Sequence, residues 1–306
     1  MDSWTVRHGD RLRTSRTIAQ DDCRDFGPGP RRSDPTTAHL YWDRLWRTRG
    51  GRDAWSLPHP WVVQAVDGLL DRGVRDVLDL GCGLGRHALL LAAEGFAVHE
   101  LDRSGAAVEF VRAEAADRCL PFTAAVADIA SPHCPAGGFD LVLAFSAAHC
   151  GDDHIPGRAL AEVRRVLRPG GLYLSTMLSK RNAHYGKGVE VAANTFVQPG
   201  ASDERSHPRL YLDAADLVRL HRGFRLLNAF DAELDGVGSR HWHWVFEVDR
   251  QASRPGACKT SRAGSSEQEW LLGLSSATTV GHISPLWTSL IPWCPATVVW
   301  NFGPMV

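Results

Sequence analysis

The stretch VLDLGCGLGRHALLLA, Val77 to Ala92, decides the fold of this chain. Its first residues are an apolar run ending on Asp79, as expected of a strand buried on both faces. Three glycines follow at alternate positions, Gly81, Gly83 and Gly85, with Cys82 between the first two, and then a helical pattern begins. Glycine takes positive φ without cost and has no Cβ, so a large ligand can lie against the backbone of such a turn. The amides opening the helix near Gly85 have no intrahelical acceptor and face the same space. A strand, a glycine turn and a helix in this order predict a ligand cradle in an α/β protein.

The spacing argues about the ligand. A dinucleotide turn reads G-x-G-x-x-G with pyrophosphate on the helix N-terminus, whereas here the last glycine position of that pattern is Arg86. The run reads instead D-x-G-x-G-x-G from Asp79 to Gly85. Further along, AVHELD (97–102) is a second strand ending on Asp102, about twenty residues past the glycines, where ribose-binding doubly wound folds place an acid. Ser104 is a helix N-cap ahead of Val108, Val111 and Ala115 at helical spacing. FTAAVAD (122–128) is a third strand leading to Asp128-Ile129, and FDLVLAFSAAH (139–149) a fourth. A helix with Leu160, Val163 and Leu167 on one face leads to Arg168-Pro169-Gly170-Gly171 and a fifth strand, LYLSTML.

This ordered set resembles the class I S-adenosylmethionine (SAM)-dependent methyltransferases. The resemblance covers residues 37–250 and implies SAM as cofactor. It implies that Asp79, Gly81, Cys82, Gly83 and Gly85 form the cofactor turn, that Asp102 lies at the ribose with Arg103 also in the cofactor site, and that Asp128 and Ile129 lie at the adenine. Phe145, on the strand that ends beside the reacting methyl group, joins the cofactor set. The implied fold is a doubly wound, seven-stranded Rossmann-like sheet of order 3-2-1-4-5-7-6 with strand seven antiparallel. Phe224–Leu234 and His241–Val248 are the last two strands, joined by a hairpin at Gly236 and Gly238. A helix capped by Asp213 and stopped at Gly223 precedes them.

The chain has 306 residues, 44% hydrophobic and 23% charged, with net charge −1. That balance is of a soluble globular protein and carries no strong nucleic-acid or anionic-membrane signal, so a small-molecule methyl acceptor is the expected partner. Seven scattered cysteines without C-x-x-C spacing predict neither disulfide framework nor zinc site and fit a reducing, cytoplasmic setting. Residues 1–20 lack the apolar core of a secretory signal. Residues 1–36, polar and rich in Arg and Asp, are expected to be a disordered leader. Residues 251–268 are a Ser/Gly-rich linker, and Trp270–Val306 contains no Asp, Glu, Lys or Arg. Pro285, Pro292 and Pro295 interrupt the apolar part of that tail, so no membrane span is expected. It packs on the domain, is loosely ordered, or is sequence in an altered reading frame.

Two segments are candidates to cover the carboxyl ends of the strands, where open α/β sheets bind ligands. One is the aromatic helix with Tyr41, Trp42 and Trp46, followed by Trp55 to Trp61, which either roofs the cofactor or covers a sheet edge. The other is the insertion 180–212, a basic loop with Lys180, Arg181, His184, Tyr185, Lys187, Arg205, His207 and Arg209, expected to be a substrate cap. His149, closing the fourth strand, is the candidate catalytic base. Arg86 and His87 either bring a cation and a titratable ring to the cofactor or project into solvent. His241 and His243 alternate on a strand and share a face, but with no third ligand in the sequence no metal site is expected. Methyl transfer to an O, N or S atom of a small molecule is the expected activity. Protein or RNA methylation, a non-catalytic SAM-binding module, and a nicotinamide-dependent oxidoreductase on a similar fold are the alternatives.

Overall fold

The computed structural model of the protein describes residues 38–150, 154–233 and 238–249. The leader 1–36 and the tail 251–306 lie outside the described residues, as does Gly236. Strand β1 (Asp76–Leu80) pairs in parallel with β2 (Ala97–Asp102) on one side and β4 (Phe139–Ala144) on the other. The sheet continues through β2 to β3 (Phe122–Val126) and through β4 to β5 (Leu167–Ser179), all parallel. Beyond β5, β10 (Arg240–Val248) runs antiparallel and pairs in turn with β9 (Phe224–Glu233). The expected order, with an antiparallel last strand, is the order found.

The central strands are apolar on both sides because helices cover both faces. On one face α3 (Pro60–Asp71) and α4 (Arg86–Ala93) bury Trp61, Val66, Leu69 and Leu91 against Val77, Leu141 and Leu174 of the sheet, while α5 (Gly105–Asp117) buries Val111 and Ala115 with Leu89 of α4 against Phe122 of β3. On the other, α6 (His154–Val166) and α7 (Ala214–Leu220) bury Val163, Val166 and Leu217 against Leu78, Val142, Met177, Trp242 and Trp244. Each fully buried Leu, Val or Phe side chain contributes about 1.5–3 kcal/mol over its exposed state, so this two-sided core fixes the strand ends that carry the site. Ser104 caps α5 by accepting from Ala107 N, and Asp213 caps α7 in a reciprocal capping box with Asp216. That last helix ends at Leu220, earlier than expected, with His221 Nδ1 at 2.9 Å from Leu217 O and Gly223 at φ +86°.

Three boundaries differ from the sequence reading, each for a local reason. The fourth strand ends at Ala144, not His149: Ser146 turns to φ +56° and donates its amide to Thr176 Oγ1 at 2.8 Å. The third strand ends at Val126, because the Asp128 side chain accepts from Ala130 N at 2.8 Å and closes an Asx turn. Arg168-Pro169-Gly170-Gly171 falls within the bounds of β5, where Arg168 ties Asp140 (2.6 Å) and Asp76 (2.8 Å) at the end of the sheet away from the glycine turn.

The insertion 180–212 is not a loop. It contains β6 (Val189–Ala192), β7 (Thr195–Val197), a short 3-10 turn (Glu204–Ser206) and β8 (Arg209–Leu212). These strands pair antiparallel in sequence, and β8 pairs in parallel with the last residues of β5, Leu178 with Tyr211 and Ser179 with Leu212. Since β4 leaves β5 at Ser175, β8 takes the place β4 vacates and carries the cap over the end of β4. Helix α1 (Ala38–Trp46) and the short α2 (Arg49–Ala54) lie over the neighbouring strand ends. Among the described residues no helix is long and apolar enough to cross a membrane.

Candidate active site

The glycine turn after β1 takes the backbone its residues allow: Gly81, Gly83 and Gly85 have φ of +67°, +57° and +65°. Gly81 N and Gly85 N donate to Leu101 O (2.7 Å) and Cys82 O (3.1 Å), which fixes the loop against β2. A Cβ on Gly81 would come within 2.5 Å of Ala147 Cβ, and one on Gly85 within 2.7 Å of a Glu100 oxygen. Helix α4 starts at Gly85 with no side-chain cap, leaving its first amides toward the turn.

Around this cradle stand three carboxylates with different surroundings. Asp102 is rigid: Oδ2 accepts from Gly83 N at 2.9 Å and Oδ1 from Ser104 N at 2.7 Å, and each oxygen retains accepting capacity. Asp79 is 1% exposed and its Oδ2 has no partner among the described residues. Burial, and then the charge of Asp102, push its carboxyl up to about 7, with Arg86 opposing. Asp128 lies more openly beside Arg103, 3.5 Å away. Ile129, half-buried, borders Gly81. Asp79, Gly81, Gly83, Asp102, Arg103, Asp128 and Ile129 are therefore gathered at the carboxyl ends of β1, β2 and β3. Cys82 lies in the turn beside Glu100, its thiol pushed up by burial and by the neighbouring carboxylates.

Phe145 stands apart from this set. It is 7% exposed and packed among His87 (4.6 Å between ring centroids), His59 (4.9 Å), His243 (6.0 Å) and Trp61 (6.5 Å) under the crevice. Arg86 and His87 do not project into solvent. The Arg86 guanidinium lies over the rings of Trp55 (5.2 Å) and Phe145 (5.6 Å), and His87 Nε2 accepts from His59 N at 3.1 Å. His243 is stacked on Phe230 at 4.8 Å, and among the described residues no group of three His, Cys, Asp or Glu side chains is arranged to hold a metal ion.

The aromatic helix is a roof. Trp46 reaches the turn, 3.2 Å from the position of a Cβ on Gly83, and stacks on Trp42 at 5.1 Å. Asp43 fastens α1 down by accepting from Ser104 Oγ (2.7 Å) and Ala106 N (3.0 Å) at the start of α5. Tyr41 continues the roof toward His207 of the cap, at 6.3 Å.

His149 lies past the end of β4, 4% exposed, and its Nδ1 has no partner among the described residues. Burial first, then the charges of Arg209 and His241, push its proton affinity well below that of an ordinary histidine. The imidazole is therefore held in its neutral form, which can give or accept a hydrogen bond. The cap is less cationic than its composition implies. Lys180 pairs with Asp213 (2.8 Å) and Asp216 (2.6 Å), Arg205 with Asp203 (2.6 Å), and Arg181 reaches Asp231 at 3.6 Å.

Several contributors were not foreseen. Glu100, 0% exposed and without a geometric hydrogen-bond partner among the described residues, lies under the turn and is pushed up to about 9 by burial, with Asp79 and Asp102 adding to the shift and the nearby Cys82 thiol and Arg112 opposing it. Its strand position two before Asp102 puts both on one side of β2, a signal available in the sequence. The Asp43 anchor and the His59–His87 bond depend on how α1 and α3 dock, for which no local pattern exists.

Comparison with known proteins agrees with this arrangement. The family described as "Methyltransferase domain" matches residues 77–171. Malonyl-[acyl-carrier protein] O-methyltransferase of Salmonella typhimurium is 30% identical over 196 residues, covering 59% of this chain and 71% of that protein. An uncharacterized methyltransferase of Mycobacterium tuberculosis is 38% identical over 109 residues, 35% of this chain, and the match spans only 42% of the mycobacterial protein's length. Among solved structures, Burkholderia thailandensis 1,6-didemethyltoxoflavin-N1-methyltransferase has a TM-score of 0.54 at 16% identity, over 71% of this chain and 91% of that one. A SAM-dependent methyltransferase of Methanosarcina mazei has a TM-score of 0.52 at 19% identity, over 63% and 99%. The fold is shared with both, and with the relatives in sequence it follows that this chain belongs to the class I SAM-dependent methyltransferase family.

Proposed function

We propose that the protein transfers a methyl group from SAM to an O, N or S atom of a small molecule. The observation that carries this reading is the unpartnered Asp79 oxygen at the floor of the glycine turn. A buried carboxyl without a partner is costly, and a ligand bringing a cation there would stabilise its ionised form. SAM has an α-ammonium group and a sulfonium. Asp102 would accept from the ribose hydroxyls with the oxygen capacity left after Gly83 and Ser104, Asp128 and Ile129 would bracket the adenine, and the roof of Trp42 and Trp46 would close over the turn.

Bound SAM supplies an electrophilic methyl on sulfur, so the protein's own contribution is alignment and exclusion of water. Trp46, anchored through Asp43, and the cap strands serve the second purpose. His149 is assigned a place at the acceptor end as a neutral hydrogen-bonding side chain. Cys82, Cys119, Cys134 and Cys150 are free thiols, which supports a reducing, cytoplasmic setting.

The test is in two stages. Calorimetry is expected to show SAM and S-adenosylhomocysteine competing for one site. Incubation with methyl-labelled SAM and pooled metabolite fractions is then expected to label a low-molecular-weight product. Label appearing only in protein or RNA would move the acceptor class, and binding without any transfer would leave a SAM-binding module.

A further inference from the structure

Beside the proposed SAM site, three buried side-chain nitrogens have no hydrogen-bond partner among the described residues: His149 Nδ1, Arg209 Nε and His241 Nδ1. Their side chains come from three segments, the turn after β4, strand β8 and the start of β10. The fold joins these segments directly. Leu210 N donates to His149 O at 3.1 Å, Arg209 and Cys150 form a β-bridge, and Leu178 pairs with both Tyr211 and His241. The His149 and His241 rings are 6.1 Å apart, and the residues are 4%, 8% and 5% exposed for His149, Arg209 and His241.

The cluster lies at the acceptor end of the crevice. Ala147, two residues before His149, is the residue that abuts Gly81. Cys150 follows His149 and forms the β-bridge with Arg209, and its thiol is pushed up to about 11 chiefly by burial, with Arg209, Glu204, Trp42 and Asp102 also acting on it.

Their chemistry selects an anion. A guanidinium nitrogen buried without an acceptor is costly, and its planar fork matches a carboxylate. A neutral imidazole has one ring N–H: His149 can turn its own to a carboxylate, whereas the His241 ring already bonds the Ser239 backbone and borders the site beside it, and a carboxylate has lone pairs for several donors. Arg205 is already held by Asp203 through Nε and Nη2, whereas Arg209 meets Glu204 only through Nη1 at 3.3 Å, so its Nε is left over. One cation, partly balanced by Glu204 at the rim, suits a single negative charge better than the double charge of a phosphate monoester.

We propose that Arg209 and His149, with the His241 ring bordering them, bind a carboxylate group of the methyl acceptor, so that the substrate class is a small carboxylic acid. This rests on the methyltransferase reading for its statement of what the acid is there for, though the anion site can be tested separately.

The test uses calorimetry on the full chain, with and without saturating S-adenosylhomocysteine. The probes are malonate, benzoate and hexanoate, their primary amides, and phenyl phosphate. At least one acid is expected to bind about tenfold or more tightly than its amide, the range of a charge-assisted hydrogen bond. R209Q is expected to abolish that preference. E204Q, which keeps the fold's shape and removes the competing carboxylate, is expected to tighten the acid severalfold. Acids no better than amides, a preference that survives R209Q, weaker acid binding in E204Q, or tighter binding of phenyl phosphate would each overturn the proposal. Acid preference in a protein that never binds S-adenosylhomocysteine would retain the anion site and remove the methyltransferase reading. S-adenosylhomocysteine binding without acid preference would do the reverse.

Discussion

Gly81 and Ala147 lie so close that a Cβ on the glycine would sit 2.5 Å from the alanine's own Cβ. This contact joins the turn after β1 to the turn after β4, the two walls of the crevice at which the strand order reverses. Gly81→Ala adds that overlap to the strain of φ +67°. A non-glycine residue held there costs of order 1–3 kcal/mol before any steric term. Thermal melts are expected to show that loss, with SAM binding weakened beyond detection by calorimetry. The double variant Gly81→Ala with Ala147→Gly removes only the overlap, and is expected to recover part of the stability. Recovery of all of it would mean the positive φ costs nothing here.

The roof is predicted to depend on Asp43. Its carboxylate accepts from Ser104 Oγ and Ala106 N and is held below the usual carboxylate range by those bonds and by Arg47, although burial opposes this. Asp43→Ala leaves the cap of α5 intact, because Ser104 still accepts from Ala107 N at 3.1 Å. The expected result is faster amide exchange confined to residues 38–55 and weaker SAM binding by about 1 kcal/mol, the scale of one or two such hydrogen bonds. Uniform exchange across the domain would show that Asp43 supports the whole fold.

Much of this was legible in the chain, and the division follows the range of the forces. The strand-turn-helix of Val77–Ala92, the Ser104 and Asp213 caps and the order of seven strands are read from local patterns: burial period, glycine geometry and capping chemistry. Asp102 and Asp128 were legible because a strand end puts an acid at the crevice. Phe145 reads as a cofactor contact; the structure packs its ring among His59, His87 and His243, on the face that Leu141 and Leu143 two and four residues before it also turn toward α3. The Ser146 turn beyond it, which donates to Thr176 of the neighbouring strand, depends on a residue thirty positions away. The cap misled for a similar reason. Its residues read as a loop, but β8 finds the unpaired edge of β5 past the end of β4, and its cations meet partners from Asp203 to Asp231.

Cofactor affinity is expected to vary with pH through Asp79. Its carboxyl, about 7 in the free protein against 3.8 for an ordinary aspartate, is largely protonated at pH 6 and largely ionised at pH 8. Only the ionised form pairs with a cation, so SAM binding should tighten as pH rises from 6 to 8 and release a proton at the lower end. Calorimetry in buffers of different ionisation enthalpy reads that proton directly. Asp79→Asn should bind more weakly and lose the proton release. An undiminished release in that variant would assign the titration to another group.

Glu100 gives the final prediction, one of stability. Its carboxyl is about 9 in the folded protein against 4.5 ordinarily, with burial the first cause and Asp79 and Asp102 adding to it. Between those values the unfolded chain has released the proton while the folded chain retains it. The folded state therefore binds more protons, and the contribution of this group to stability falls as pH rises, by up to about 1.4 kcal/mol per unit. Glu100→Gln has nearly the same shape and cannot ionise. Denaturant titrations of both proteins at pH 5, 7 and 9 are expected to show the variant gaining on the wild type at each step, the gap widening until about pH 9. Taking the difference between the two proteins cancels every other titrating group that the substitution leaves alone. A gap that does not change with pH would mean that Glu100 ionises normally, and that Gly85 and Val111 pack against a charged side chain that water or a neighbour has solvated.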